Sequence, residues 1–239
     1  MQEMSNAFTG GDNLTGILSY YSKILMENEL NKGYGAYQLT LSTADSGLSF
    51  GGNQMDLSEE NEARQLFMNI IENAMDNNSQ KFFNNQGINS IKLIKIASKG
   101  QSPETVFGKL LTKINAALSS QYGMTKINQE YVKQITDDSI HVENIISNIA
   151  NDLAKTFYNT TLGKGLLFDY NNQFYLDPQG ELKRYMDGNK IITYTGETLF
   201  IENSFTLENH KQYMFETKYG IENKADVSRR INNILSILE

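Results

Sequence analysis

The stretch SGLSFGGNQMDL, residues 46–57, decides how the rest of the chain is read. It packs Gly47, Gly51 and Gly52, two serine hydroxyls, side-chain amides and the carboxylate of Asp56 into a dozen residues. Glycine loses more backbone freedom on folding than any other residue, so such a run is costly to order and marks a tight turn with a purpose. Just upstream, Tyr37, Leu39, Leu41 and Thr43 alternate with other residues at the period of a strand. Residues 32–57 are therefore expected to form a short hairpin or turn-rich β excursion.

Helical patterns flank this excursion. In LTGILSYYSKILMENELN, Leu14, Ile17, Leu18, Tyr21, Ile24 and Leu25 recur at three-and-four spacing, which predicts an amphipathic helix ending near Glu27 and Glu29. After the hairpin, Ser58 can cap a helix with acids in its first turn and a stripe of Ala63, Leu66, Phe67, Ile70, Ile71 and Ala74. A third helix starts at Ser102, with Pro103 in the first helical position where its missing N–H costs nothing, and continues through Val106, Leu110, Leu111, Ile114 and Leu118. Another is expected from about Val142, with Ile145, Ile146, Ile149, Leu153 and Phe157 on one face.

From about Gly163 the texture changes. Aromatic and β-branched residues are punctuated by turn signals at DPQG, DGN and TG, which predicts short strands before VSRRINNILSILE closes the chain as a helix. The expected class is α+β, mainly α. Its parts are a region over residues 1–160 with the hairpin beside a helix, and a strand-containing extension over 161–239 packed on the same unit.

Composition limits the chemistry. The 239 residues contain no cysteine, which removes disulfides, thiolate metal sites and cysteine nucleophiles. A net charge of -7 argues against a nucleic-acid partner, because phosphate binding needs clustered Lys and Arg. No run reaches the length of a membrane span, and MQEMSNAFTGGDN lacks the basic and apolar regions of a signal peptide. The two histidines, His141 and His210, have no neighbours at metal-ligand spacing, so solvated or structural roles are expected for them and neither a metal nor another cofactor is invoked. TTLGKG lacks phosphate-loop spacing, and DYNNQFYLDPQGE lacks the glycine and terminal glutamate of a calcium loop and reads as turn and strand.

Carboxylates remain, and cleavage of a glycosidic bond is the reaction that needs little else: one acid to protonate the leaving oxygen and a second group to manage water or developing positive charge. Glu27 and Glu29 close the first expected helix directly before the hairpin, and Asp56 closes the hairpin. Glu29 follows Leu25 by four residues, at the border of the apolar stripe, whereas Glu27 follows Lys23 by four and turns toward solvent. Partial burial would keep a glutamic acid protonated near neutral pH, which favours Glu29 as the acid and leaves Glu27 as the alternative.

With these residues in place, SGLSFGGNQMDL resembles the glycine-rich signature of phage-type and pesticin-like lysozymes, in which a helix-end Glu precedes a β-hairpin bearing a hydroxyl and an Asp. The resemblance spans residues 14 to 120 and implies a lysozyme-like fold and a muramidase that hydrolyses the bond between N-acetylmuramic acid and N-acetylglucosamine in peptidoglycan. It implies Glu29 as general acid, Asp56 as the residue that positions or activates water, and Ser49 as a holder of that water. Tyr37 and Gln54 become substrate contacts, with Tyr34 and Phe50 as further stacking surfaces. The sequence departs from the signature in having Ser49 where Thr is usual and in spacing Asp56 one residue further on. GGNQ is also similar to the glycine and glutamine motif of lytic transglycosylases, and a catalytically inactive module binding glycan or protein is a third reading. The expected partners are glycan strands and an immunity or delivery protein. The chain would be made in the cytoplasm and act in the periplasm or outside the cell after delivery by a phage, a holin or a secretion system.

Overall fold

The computed structural model describes residues 24, 37–41, 48–51, 55–57, 62–78, 80 and 102–238. These are mainly helical with a few short antiparallel strands, the α+β class with α dominant that the sequence predicts. The helix expected over 14–31 lies outside the described residues except for Ile24, which is helical and fully buried. The Ser58 cap lies outside them too. Two compact units are present: one contains the described residues from 37 to 133, the other contains Ile24 and residues 134–238. The boundary falls within a helix, whereas position 160, where the sequence suggested a division, lies inside the second unit.

In the first unit, β1 (Leu39–Leu41), β2 (Leu48–Phe50) and β3 (Met55–Asp56) form an antiparallel sheet in that order. Opposite residues in such a sheet share a face, and neighbours along a strand point to opposite faces. Leu39, Phe50 and Met55 lie in register across the strands and are buried together. Phe50 packs edge-on against Phe67 of α1 (Glu62–Ala74), with ring centroids 5.5 Å apart. The α1 stripe is the predicted one for Ala63, Phe67, Ile70 and Ile71, with Arg64 buried as well.

The third predicted helix exists in pieces. Ser102 caps α2 (Pro103–Phe107) by accepting from Thr105 N, as expected. Gly108, at φ +50°, then breaks the helix, and a 3-10 turn over Gly108–Leu110 leads into α3 (Leu111–Leu118). The next helix starts far earlier than Val142: α4 runs unbroken over 27 residues, Gln121–Ser147. Its buried positions Ile127, Tyr131, Ile135, Ser139 and Val142 recur at four-and-three spacing, but polar residues between them hide the pattern. The stripe predicted beyond it is divided, because Asn151 accepts from Leu153 N and Ala154 N and starts a separate helix, α5 (Asp152–Tyr158), with Leu153 exposed.

The largest departure concerns the segment from about Gly163, expected to begin a series of short strands and found within helix α6 (Thr161–Phe174). A short apolar run such as Leu166–Leu167–Phe168 suits a buried strand or a buried helix equally. The cap decides it, since Thr160 Oγ1 accepts from Gly163 N at 3.0 Å. Short strands survive only as β4 (Ile191–Ile192) and β5 (Thr198–Leu199), a two-stranded antiparallel hairpin after α7 (Glu181–Met186). Then come α8 (Leu207–Glu216), α9 (Lys218–Glu222) and α10 (Lys224–Leu238), the last as predicted.

One corner recurs three times. Ser120, Thr160 and Thr217 each sit between two helices with glycine three residues ahead, in SQYG, TTLG and TKYG. The hydroxyl donates to the carbonyl three residues back, Ala117, Phe157 or Met214, at 2.7, 2.6 and 2.8 Å. It also accepts from the glycine N–H, at 3.0 Å in all three cases. One side chain thus satisfies an orphan carbonyl of the outgoing helix and an orphan N–H of the incoming one. A Cβ on Gly123, Gly163 or Gly220 would overlap that same carbonyl oxygen, so only glycine fits.

The core of the second unit joins α6 to α10. Arg230 donates to both carboxylate oxygens of Asp169, at 2.9 Å from Nε and 2.8 Å from Nη2, with both residues buried. Gly165 lets Ile24, Ile234 and Leu238 close over α6. Beside this lies an aromatic cluster of Tyr158, Tyr170, Tyr185, Phe205 and Tyr213, with His210 buried against Tyr158.

Candidate functional site

The sheet of the first unit carries a second row on the face opposite its apolar one. Thr40 stands across from Ser49, and Ser49 across from Asp56, so three polar side chains line up over β1, β2 and β3. The extra residue between Ser49 and Asp56 creates no bulge in the paired strands: Phe50 pairs with Met55, and residues 51–54 connect them, beginning with Gly51 at φ +80°. The structure therefore brings together two of the residues the sequence nominated and adds Thr40, whose place could be known only from the pairing register.

The environments of the two differ. Asp56 is half-buried. Ser49 is only 1% exposed, and its hydroxyl has no hydrogen-bond partner among the described residues. The resemblance casts it as the holder of the catalytic water. The reason for its burial is positional, because β2 is the central strand and all three of its residues are covered. A buried hydroxyl without a partner carries a desolvation cost of about 1–3 kcal/mol, which makes it a ready acceptor and donor for an enclosed water.

Tyr37 enters the sheet from the side. Its hydroxyl donates to Asn128 Oδ1 of α4 at 3.0 Å, and its backbone carbonyl accepts from Ser119 Oγ at 3.2 Å. The ring packs partly on the apolar core. Asn115 Oδ1 accepts from Leu39 N at 3.0 Å, so β1 is pinned to α3 as well. Phe50 is fully buried against Phe67 and belongs to the core, not to a sugar-stacking surface. Glu27, Glu29, Tyr34 and Gln54 lie outside the described residues.

In the second unit, the residues set aside by the sequence prove to hold the fold. His210 Nδ1 meets Tyr158 Oη at 2.9 Å, and burial pushes the imidazole pKa down to about 4. The ring is thus neutral at neutral pH and shares a hydrogen bond with the tyrosine hydroxyl. His141 Nε2 lies 2.8 Å from the Leu176 carbonyl, and its ring stacks on Tyr175. Asn171 accepts from Leu176 N at 3.0 Å and donates to Asp138 at 2.9 Å, while burial raises the Asp138 pKa against the opposing effect of that hydrogen bond. Asp169 and Asn171, two oxygen-bearing residues of the rejected calcium loop, are thereby engaged in helix packing.

Among the described residues, no helix is long and apolar enough to cross a membrane. Comparison of the chain with protein-family models, with curated proteins and with solved structures finds no match.

Proposed function

We propose that this chain is a peptidoglycan-cleaving muramidase of lysozyme-like fold, in which Glu29 protonates the glycosidic oxygen and Asp56 directs water. The observation that carries the reading is the register of the hairpin, which sets Asp56 across from Ser49 at the far end of a three-stranded sheet. A carboxylate and a hydroxyl on one face can hold a water between them, as attack on a developing oxocarbenium ion requires. The order of parts supports it too. Glu27 and Glu29 precede the hairpin in the sequence, and Asp56 closes it. Delivery of such an enzyme to the periplasm or cell exterior, and an immunity protein to restrain it, follow from the same reading.

A second reading is favoured by one specific observation. Ser49 is enclosed, which suits a sheet retained as scaffold in an inactive glycan- or protein-binding module. Digestion of purified sacculi, with mass spectrometry of the soluble products, separates the possibilities. Muropeptides ending in reducing N-acetylmuramic acid are expected. Anhydro ends would replace hydrolysis by transglycosylation, and sacculus binding without any release would replace the enzyme by the binding module.

A further inference from the structure

The second unit contains a cavity of about 310 Å³ under the β4–β5 hairpin, lined by Tyr194, Ile192, Tyr213, Glu181, Glu216 and Lys218 among others. Its volume falls at the small end of ligand-binding clefts. We propose that this cavity is a saccharide site, taking one or two neutral sugar rings, and that it is distinct in residues and chemistry from the Ser49–Asp56 row.

The wall is preformed. Thr193 N donates to Glu197 O at 2.8 Å and Gly196 N to Thr193 O at 3.0 Å, which closes a tight turn over TYTG. Gly196 sits at φ +87°, the left-handed position that such hairpins reserve for glycine. The hydroxyls of Thr193 and Thr195 both donate to Glu216 Oε2 on α8, so the turn is tied to the helix across the cavity. Tyr194 is therefore held at a fixed tip, yet it is 66% exposed, and Ile192 beside it is 69% exposed. Large exposed apolar groups on a rigid turn lose little further freedom when a ligand covers them.

The chemistry selects the ligand. A sugar ring offers an apolar face of C–H groups and an edge of hydroxyls. Tyr194 and Ile192 suit the face. Glu181 and Glu216 accept from hydroxyls, and the Lys218 ammonium donates. The three charged groups sum to one negative charge, two glutamates against one lysine, which disfavours phosphate or other anions.

Titration calorimetry with tri-N-acetylchitotriose and with cellotriose tests the site on the full chain. Saturable binding of at least one is expected, weakened about ten-fold or more by Tyr194→Ala, the usual scale for removing an exposed aromatic anchor. Tyr175→Ala, at a tyrosine 62% exposed elsewhere in the unit, should leave the affinity unchanged. A loss confined to Tyr194→Ala assigns the binding to this cavity and not to the Ser49–Asp56 row. No binding of either trisaccharide, equal binding by Tyr194→Ala, or binding of glucosamine but not N-acetylglucosamine would overturn the assignment, the last by making the cavity an amine site. Since Tyr194 lies at an exposed tip, an unchanged thermal transition in Tyr194→Ala is expected and excludes misfolding as the cause.

Discussion

The buried imidazole of His210 shows most directly how a single side chain sets a property of the whole chain. Its pKa in the folded protein is about 4, below the ordinary value of 6.5, because burial penalises the charged ring. Between these two values the unfolded chain binds the proton and the folded chain does not, so stability is fully present above about pH 6.5 and is lost as pH falls toward 4. The gap corresponds to about 3 kcal/mol. Urea titrations at pH 7 and pH 4 should show a loss of that order from this residue, and His210→Gln, whose amide can still hydrogen-bond Tyr158, should remove that part of the slope. An identical slope in the variant would mean that the ring is not the cause. At the same scale, Ser49 and Asp56 were legible as a hydroxyl and an acid on one hairpin, but the burial of Ser49 was not. Burial of a central-strand residue depends on what covers both faces of the sheet, and no local pattern reports that.

Elements were legible where cap, period and length agreed. Ser102 followed by Pro103 gave the start of α2, and the stripe from Ala63 to Ile71 gave α1. They were illegible where the deciding interaction was a corner. Read alone, TTLGKG is a failed phosphate loop before an aromatic run; read beside SQYG and TKYG, it is one of three identical helix joints. The joint explains why residues 161–174 are helical despite their β-prone composition: Thr160 caps the first turn, and Gly163 admits the preceding helix end. Gly163→Ala and Gly220→Ala should each destabilise by about 1–3 kcal/mol, the range for forcing a methyl group into an occupied space. Chemical denaturation measures this. Gly108→Ala is the useful contrast, because a Cβ there meets nothing and the only cost is its positive φ.

For the molecule, class was legible and division was not. The hydrophobic stripes foretold a mainly helical α+β chain, whereas the two units divide inside α4, at a point that no linker composition marks. A chain that belongs to the second unit at Ile24, to the first from Tyr37 to Lys133, and to the second again afterwards is not separable by cutting at a single loop.

Release of soluble muropeptides from purified sacculi by wild type, Glu29→Gln, Glu27→Gln and Asp56→Asn tests the proposed chemistry most directly. Loss of the general acid should lower release about 100-fold or more in Glu29→Gln, with Asp56→Asn also strongly reduced and Glu27→Gln within about three-fold of wild type. Equal release by wild type and Glu29→Gln, or a collapse confined to Glu27→Gln, would contradict the account.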